Sequence, residues 1–154
     1  MSEALRNSVK SMIKEVFEGP PVPVKGTWFI TVEANAGIFG VIERISSDEA
    51  SMSVNGTTLA AHTDHVHYHM WGTNEILKNG KQPEMEWGKS WDIHLVDEQQ
   101  WNQIQKDLRN EYLRLLELID AMEWNEQSAT VTAFLGHSAY HLGAFRQMLK
   151  AVKV

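Results

Sequence analysis

The longest regular feature of the sequence is an apolar stripe that recurs every three or four residues between positions 98 and 122. Asp97 precedes the stripe and Gln100 follows three residues later, which is the pattern of a helix capping box. The stripe consists of Trp101, Ile104, Leu108, Tyr112, Leu115, Ile119 and Met122. Because this period places all of these side chains on one face, the segment predicts a long amphipathic helix with one buried side.

Other segments show the same helical period, and none shows the strict alternation of a half-buried strand. The further predicted helices span 3–18, 31–45, 57–79 and 126–151. Gly19, Pro20, Pro21 and Pro23 are expected to end the first of these, and Gly37 and Gly40 weaken the second. Thr57 or Thr58 can cap the start of the third, and Asn79-Gly80 is a typical end for it. A turn is predicted between the second and third, at Asn55-Gly56.

This order of elements predicts one all-α domain over residues 1–154, a four-helix bundle with an extra N-terminal helical segment. The polar stretch 80–97 is too long for a tight turn, so it predicts a crossover that lets two consecutive helices run parallel. Trp87 and Trp91 in this crossover are expected to pack back over one end of the bundle.

The composition excludes several classes of function. The chain has 154 residues and no cysteine, which excludes disulfides, thiolate metal ligands and a cysteine nucleophile. Its net charge of −6 argues against a nucleic-acid-binding surface built on bulk positive charge. No apolar run approaches the roughly 20 residues of a membrane span, and the start MSEALRNSVK lacks the features of a secretory signal. We therefore expect a cytoplasmic protein that binds neither nucleic acid nor membranes.

Histidines are the most informative residues for function. His137 and His141 lie four positions apart on the last predicted helix, within an otherwise apolar stripe. This spacing puts both imidazoles on the same inward side, one turn apart, which suits two bonds to one metal ion. An isolated pair at this spacing is a weak signal, since a single core histidine is usually a hydrogen-bonding group, the role expected for His94.

A second group of histidines lies on the predicted helix 57–79. His62, His65 and His69 fall on one arc of that helix, whereas His67 points well away and is expected at the surface. Two helices that both carry histidines on a core-facing side favour a shared metal site over hydrogen-bonding roles alone. The spacing leaves open which of the three arc histidines reaches the metal.

Two segments carry a family resemblance: TTLAAHTDHVHYHMW at residues 57–71 and GHSAYHLGAFRQML at residues 136–149. Here the chain resembles the DinB-like (YfiT-like) superfamily of metal-dependent helical-bundle proteins. The resemblance covers most of the chain and implies an up-down-down-up arrangement of four helices. It also implies a three-histidine site for a divalent ion, zinc or nickel, formed by His65, His137 and His141. His62 and His69 depart from the family pattern, since either could replace His65 or lie behind it.

The resemblance further implies a homodimer and a metal-dependent enzyme that acts on a small molecule. The reaction would be thiol-dependent S-transfer, with a low-molecular-weight thiol, or hydrolysis. The alternatives are a non-catalytic metal-binding or stress-response protein and, as the weakest, a purely structural bundle. The sequence identifies no general acid or base, because Asp64 lies about 100° around the helix from His65. Glu75, Tyr140 and Arg146 remain unranked candidates.

Overall fold

The computed structural model describes residues 2–20 and 25–153, and this part of the chain forms α-helices and no β-strand. The helices are α1 (Ser2–Phe17), α2 (Ile38–Ile42), α3 (Ser47–Ala50), α4 (Leu59–Asn79), α5 (Glu98–Ala121) and α6 (Ser128–Val152). A turn of 3-10 helix, Lys89–Trp91, lies in the segment between α4 and α5. The prediction of an all-α protein is therefore confirmed.

The four long helices α1, α4, α5 and α6 pack against one another around one apolar core. Helix α4 contacts both α5 and α6, and α1 contacts α6. Fully buried side chains from all four include Ile13, Phe17, Leu59, Met70, Leu108, Leu115, Phe134 and Phe145. Since α1 is itself one of the long helices, the additional helical segments follow it, as α2 and α3. The up-down-down-up order stays a prediction.

Capping interactions fix both ends of α4. The Thr58 hydroxyl accepts a hydrogen bond from the Ala61 backbone N–H at 3.1 Å, which makes Thr58 the N-cap. Gly80 ends the helix in the left-handed conformation, with φ of 72°, and its N–H donates to the Ile76 carbonyl. The predicted capping box of Asp97 and Gln100 is also present at the start of α5. These caps fix the length and position of the helix that carries the histidine group.

The prediction of a helix over 31–45 is wrong in length, because only Ile38–Ile42 is α-helical. Asn35 adopts a left-handed conformation with φ of 53°, and the chain folds back at that point. A Cβ atom on Gly40 would lie 1.9 Å from the Asn35 carbonyl oxygen, so this close approach requires glycine. Of the two glycines that weakened the helical pattern, Gly40 marks this fold-back, whereas Gly37 lies against the end of α1, where a Cβ would be 2.6 Å from the Phe17 carbonyl oxygen.

The predicted break between the second and third helices contains a short helix that was not expected. Helix α3 begins after a capping box in which the Ser46 hydroxyl accepts from Glu49 N–H and the Glu49 carboxylate accepts from Ser46 N–H. The turn at Asn55-Gly56 is confirmed, since both residues have positive φ angles, of 51° and 84°. Pro21 and Pro23, which were expected to help end the first helix, lie outside the described residues. No described helix is both long and apolar enough to span a bilayer.

Candidate metal site

Three histidines converge where α4 faces α6. The Nε2 atom of His137 lies 3.2 Å from Nε2 of His65 and 3.1 Å from Nε2 of His141. Each of the three side chains offers a ligand atom, and these atoms all lie within 4.8 Å of one another. Two nitrogens bound at about 2.05 Å in tetrahedral geometry would lie about 3.3 Å apart. The spacing of the imidazoles therefore suits one shared ion.

The packing of the two helices produces this convergence. His137 and His141 are one turn apart on α6, on the face whose apolar members Phe134 and Phe145 are fully buried. That face meets the side of α4 that carries His65 between the buried residues Leu59 and Met70. His65 and His141 are 8% and 3% exposed, while His137 is half-buried and so borders the solvent. The candidate site thus lies at the edge of the core rather than at its centre.

The crossover orients the ring of His65. Ser90 Oγ lies 2.8 Å from His65 Nδ1, and its hydroxyl donates to the Trp87 carbonyl oxygen at 2.7 Å. A carbonyl can only accept, so the single hydroxyl hydrogen of Ser90 is used there and Nδ1–H of His65 must be the donor to Ser90. Neutral His65 consequently has a lone pair on Nε2, the atom that faces His137. This is the tautomer that a metal ligand requires.

The contacts of His137 Nε2 require more hydrogens than neutral rings can supply. Because Nε2 of His65 carries a lone pair, its hydrogen bond with His137 needs the hydrogen on His137 Nε2. A ring nitrogen that carries a hydrogen has no free lone pair, so it cannot also accept from His141. One hydrogen would have to serve both close contacts. A cation between the three nitrogens would instead use three lone pairs at once.

The other two histidines of the α4 arc, His62 and His69, each contact one member of the α6 pair. Nδ1 of His62 is 3.1 Å from Nδ1 of His141, on the side of that ring away from the Nε2 cluster. His69 stacks face to face on His137, with ring centroids 3.7 Å apart and planes inclined by 14°. The structure therefore brings His65, not His62 or His69, together with the α6 pair.

The two tryptophans of the segment 80–97 were expected to pack back against the helices, and they lie over this histidine group. Trp91 stacks on His65 with a centroid distance of 4.0 Å and an angle of 20°. Trp87 lies 5.6 Å from the ring of His69 and is half exposed, at 42%. A cavity of about 230 Å³ opens beside Trp87 and is lined by His69, Met85 and Thr130 among others. A larger groove of about 820 Å³ runs along α1 and contains none of the histidines.

Burial keeps all of these imidazoles neutral. Desolvation, helped by the neighbouring histidines, lowers the pKa of His65 to about 4 and that of His137 and His141 to about 3. Burial also lowers the pKa of His62 and of His69. No carboxylate contributes to these shifts, so the cluster presents lone pairs without any compensating negative charge. Such a group is suited to a cation and, once a divalent ion is bound, to an additional anionic ligand.

The other chemical candidates from the sequence lie elsewhere. Burial raises the pKa of Asp64, an effect that nearby His67 opposes, and His67, which was expected at the surface, is half-buried. His94, expected to be a core hydrogen-bonding residue, is exposed in the crossover, and that prediction was wrong. Glu75 is bonded to Arg114 on α5.

Neither remaining candidate for acid–base chemistry contacts the three ligand nitrogens. Arg146 donates to the Ala36 carbonyl oxygen at 3.3 Å. Tyr140 is 75% exposed, and its ring centroid lies 5.1 Å from that of His141, with the planes at 81°. The residue that the sequence missed is Ser90, a small polar side chain between the two tryptophans of an irregular segment.

Comparison of the chain with protein-family models, with curated proteins and with solved structures found no match.

Proposed function

We propose that this protein holds a divalent metal ion, zinc or nickel, through Nε2 of His65, His137 and His141. The observation that carries the proposal is the position of His137 Nε2, which lies within 3.2 Å of two other ring nitrogens that would have to share its single hydrogen. Protonation does not supply the missing hydrogens at neutral pH, because burial lowers the pKa of all three rings. A bound cation would instead use the lone pairs of all three Nε2 atoms at once.

The ligand set favours a reactive centre over a structural one. Imidazole nitrogens suit both Zn²⁺ and Ni²⁺, and structural zinc sites are normally closed by four protein ligands. Three ligands leave room for an exogenous molecule, and His137 borders the solvent. When bound, the ion would supply Lewis acidity and would lower the pKa of a coordinating thiol or water.

We infer that the chain is a metal-dependent enzyme for a small molecule, with thiol-dependent S-transfer as the favoured reaction and hydrolysis as the second. Three neutral ligands leave the full charge of a divalent ion uncompensated, which favours an anionic partner such as a thiolate. The cavity beside His69 and Trp87 is a suitable space for a small organic molecule. The resemblance to the DinB-like superfamily supports the same reaction and, in addition, a homodimer.

A non-catalytic metal-binding protein is the second candidate, and one observation favours it. None of the carboxylates of the described residues contributes to the environment of the three histidines, so no general acid or base stands ready beside them. Hydrolysis would depend on such a group more than transfer of an ionised thiolate would. The lack of acid–base partners therefore weighs most heavily against hydrolysis.

Metal analysis tests the site. Protein purified without a His tag should contain close to one equivalent of zinc or nickel by elemental analysis, and His137→Ala should contain almost none. His67→Ala is the matched control, since His67 lies on α4 away from the cluster and its loss should leave the metal content unchanged. Retention of one equivalent by His137→Ala would show that the proposed site is wrong.

Turnover separates the enzyme from the binding protein. The metal-loaded protein should accelerate conjugation of low-molecular-weight thiols to electrophiles, and chelation or His137→Ala should abolish that rate. Failure of a panel of thiols, esters and amides to show any metal-dependent turnover would favour the binding protein. Light scattering of the purified chain tests the proposed homodimer.

A further inference from the structure

We propose that His62 is a positioning residue of the metal site, which accepts a hydrogen bond from the distal nitrogen of His141 and so holds that ligand in its metal-binding tautomer. This inference rests on the proposed metal site. It concerns an imidazole that contributes no ligand atom and lies one turn before His65 on α4.

The distance between the two rings requires one hydrogen between them. Nδ1 of His62 and Nδ1 of His141 are 3.1 Å apart, and a contact of this length between nitrogens needs a donor and an acceptor. When Nε2 of His141 uses its lone pair on a cation, the hydrogen of the neutral ring must be on Nδ1. His141 is then the donor, and Nδ1 of His62 must carry the accepting lone pair. His62 is therefore the Nε2–H tautomer in the loaded protein.

The surroundings of His62 fix its ring in this orientation. His62 is 9% exposed and stands edge-on against Trp91, with centroids 5.0 Å apart and planes at 88°. Phe145 of α6 lies on another side at 6.0 Å. Because aromatic rings enclose it, His62 has little freedom to swing its Nδ1 away from His141. A ring held in this way orients its partner as well as accepting from it.

His62 differs from the usual acceptors behind metal-bound imidazoles, which are carboxylates, carbonyl groups or water. A neutral imidazole fixes the tautomer and the ring orientation without adding negative charge, so the cluster remains uncharged before the metal binds. His65 is supported by Ser90, whereas Nδ1 of His137 is buried without a partner among the described residues. Two of the three ligands therefore have a supporting partner, and His62 serves the more deeply buried of these two.

Two substitutions distinguish acceptance of a hydrogen bond from simple packing. An asparagine can place its Oδ1 close to the position of the histidine Nδ1, whereas leucine fills similar space without an acceptor. We expect His62→Leu to weaken zinc binding about 10–100-fold, measured by competition with a chromophoric chelator, and His62→Asn to retain most of the affinity. The visible absorption of the Co²⁺-loaded protein should change in His62→Leu and be restored in His62→Asn.

The outcomes separate this inference from the proposed function. If the wild-type protein binds no Zn²⁺ or Co²⁺, the metal site itself is wrong. If the wild type binds and His62→Leu binds equally well, only the role of His62 is overturned. An equal loss in both variants would assign the effect to packing and would also overturn it.

A measurement on the wild-type protein covers the case in which a variant fails to fold. Nitrogen-15 correlation spectra of the zinc-loaded protein report which nitrogen of each imidazole carries the hydrogen. We expect His62 to be protonated on Nε2 and His141 on Nδ1. A hydrogen on Nδ1 of His62 would contradict the proposal whatever the affinities of the variants.

Discussion

Helix α4 carries two polar clusters on two of its sides, and they differ in how their polar groups are satisfied. Towards α5, Asn74 donates to the Glu111 backbone carbonyl at 2.9 Å and to the Glu111 carboxylate at 2.6 Å. Arg114 of α5 pairs with Glu75 at 2.6 Å. Except for Oδ1 of Asn74, donors meet acceptors there and positive charge meets negative charge. Apart from that one oxygen, the polar groups of this α5-facing cluster are satisfied without any ligand.

Towards α6, the histidine cluster has neither compensating charge nor enough hydrogens for its contacts. The Nε2 atoms of His65 and His141 lie 3.2 Å and 3.1 Å from Nε2 of His137, and the two contacts share one hydrogen. An unsatisfied buried polar group costs about 1–3 kcal/mol, so the arrangement is unfavourable as a purely structural device. Polar groups that are nearly all paired, as towards α5, stabilise the packing of two helices. Ring nitrogens that converge with too few hydrogens for their contacts, as towards α6, indicate a binding site.

We expect the largest difference between the two clusters in how the free energy of unfolding depends on pH. In the metal-free protein, burial holds the pKa of His65 near 4 and those of His137 and His141 near 3, below the unfolded value of about 6.5. Between these values the unfolded chain binds more protons, so the free energy of unfolding falls as the pH decreases below about 6. The slope is about 1.4 kcal/mol per pH unit for each histidine, or about 4 kcal/mol for three.

The α5-facing cluster should respond at lower pH. The hydrogen bond from Arg114 lowers the pKa of Glu75 below its usual 4.5, so its contribution is present above that value and is lost only as the pH falls further. Urea unfolding of chelator-treated protein at pH 7, 6 and 5 measures the histidine contribution. Equal free energies of unfolding at pH 7 and pH 5 would contradict the burial of these rings as neutral groups.

Zinc should raise the free energy of unfolding through the histidine cluster, and this rise should not depend on the α5-facing cluster. At a free zinc concentration of about 100 times Kd, binding adds about 2.7 kcal/mol to the free energy of unfolding. For a chain of this length we expect Tm to rise by roughly 5–10 °C. His141→Ala should abolish the rise, whereas Glu75→Gln, in the other cluster, should lower the baseline and keep the rise. An equal rise in wild type and His141→Ala would exclude the α6 pair as ligands.

The converse substitution lies in the α5-facing cluster. Asn74 is fully buried, so Asn74→Ala should lower the free energy of unfolding by about 2 kcal/mol through loss of both hydrogen bonds to Glu111. Zinc affinity should be unchanged, because no contact links Asn74 to the histidines. Urea unfolding and chelator competition on the same preparation check both statements, and a parallel loss of zinc affinity would show that the two clusters are coupled.

The smallest effect concerns the support of one ligand. Ser90→Ala removes the acceptor for Nδ1–H of His65, and we expect zinc to bind about tenfold more weakly. Ser138→Ala is the matched control, since Ser138 is adjacent to His137 and its buried hydroxyl has no partner within residues 2–20 and 25–153. Its loss should leave zinc affinity within experimental error. If the two serine variants behave alike, the crossover does not orient the site.

The sequence was sufficient where local chemistry decides the structure. The caps at Thr58, Gly80 and Asp97 and the stripe on α5 follow from nearest neighbours, and these elements were predicted to within a few residues. The pairing of His137 with His141 follows from helix geometry in the same way. Long-range contacts were not accessible: the fold-back of Asn35 over Gly40 shortened a predicted helix.

The choice among His62, His65 and His69 shows the same limit. All three share an arc of α4, and the distinction depends on how far α6 is rotated and shifted against that arc. The family resemblance indicated His65, and the spacing alone did not. The role of Ser90 depends on a turn of the crossover whose position is set by the packing of its tryptophans. Neither fact is encoded within a short window of sequence.

Trp91 stacks on His65 at 4.0 Å, so its fluorescence should report whether the site holds a metal ion. Indole emission is sensitive to a charge or an open-shell ion a few ångströms away, so loading with Ni²⁺ should quench this fluorophore far more than loading with Zn²⁺. Occupancy can thus be followed by fluorescence of the unlabelled protein, and Trp91→Phe shows how much of the change comes from Trp91, since Trp87 also packs over the histidine group.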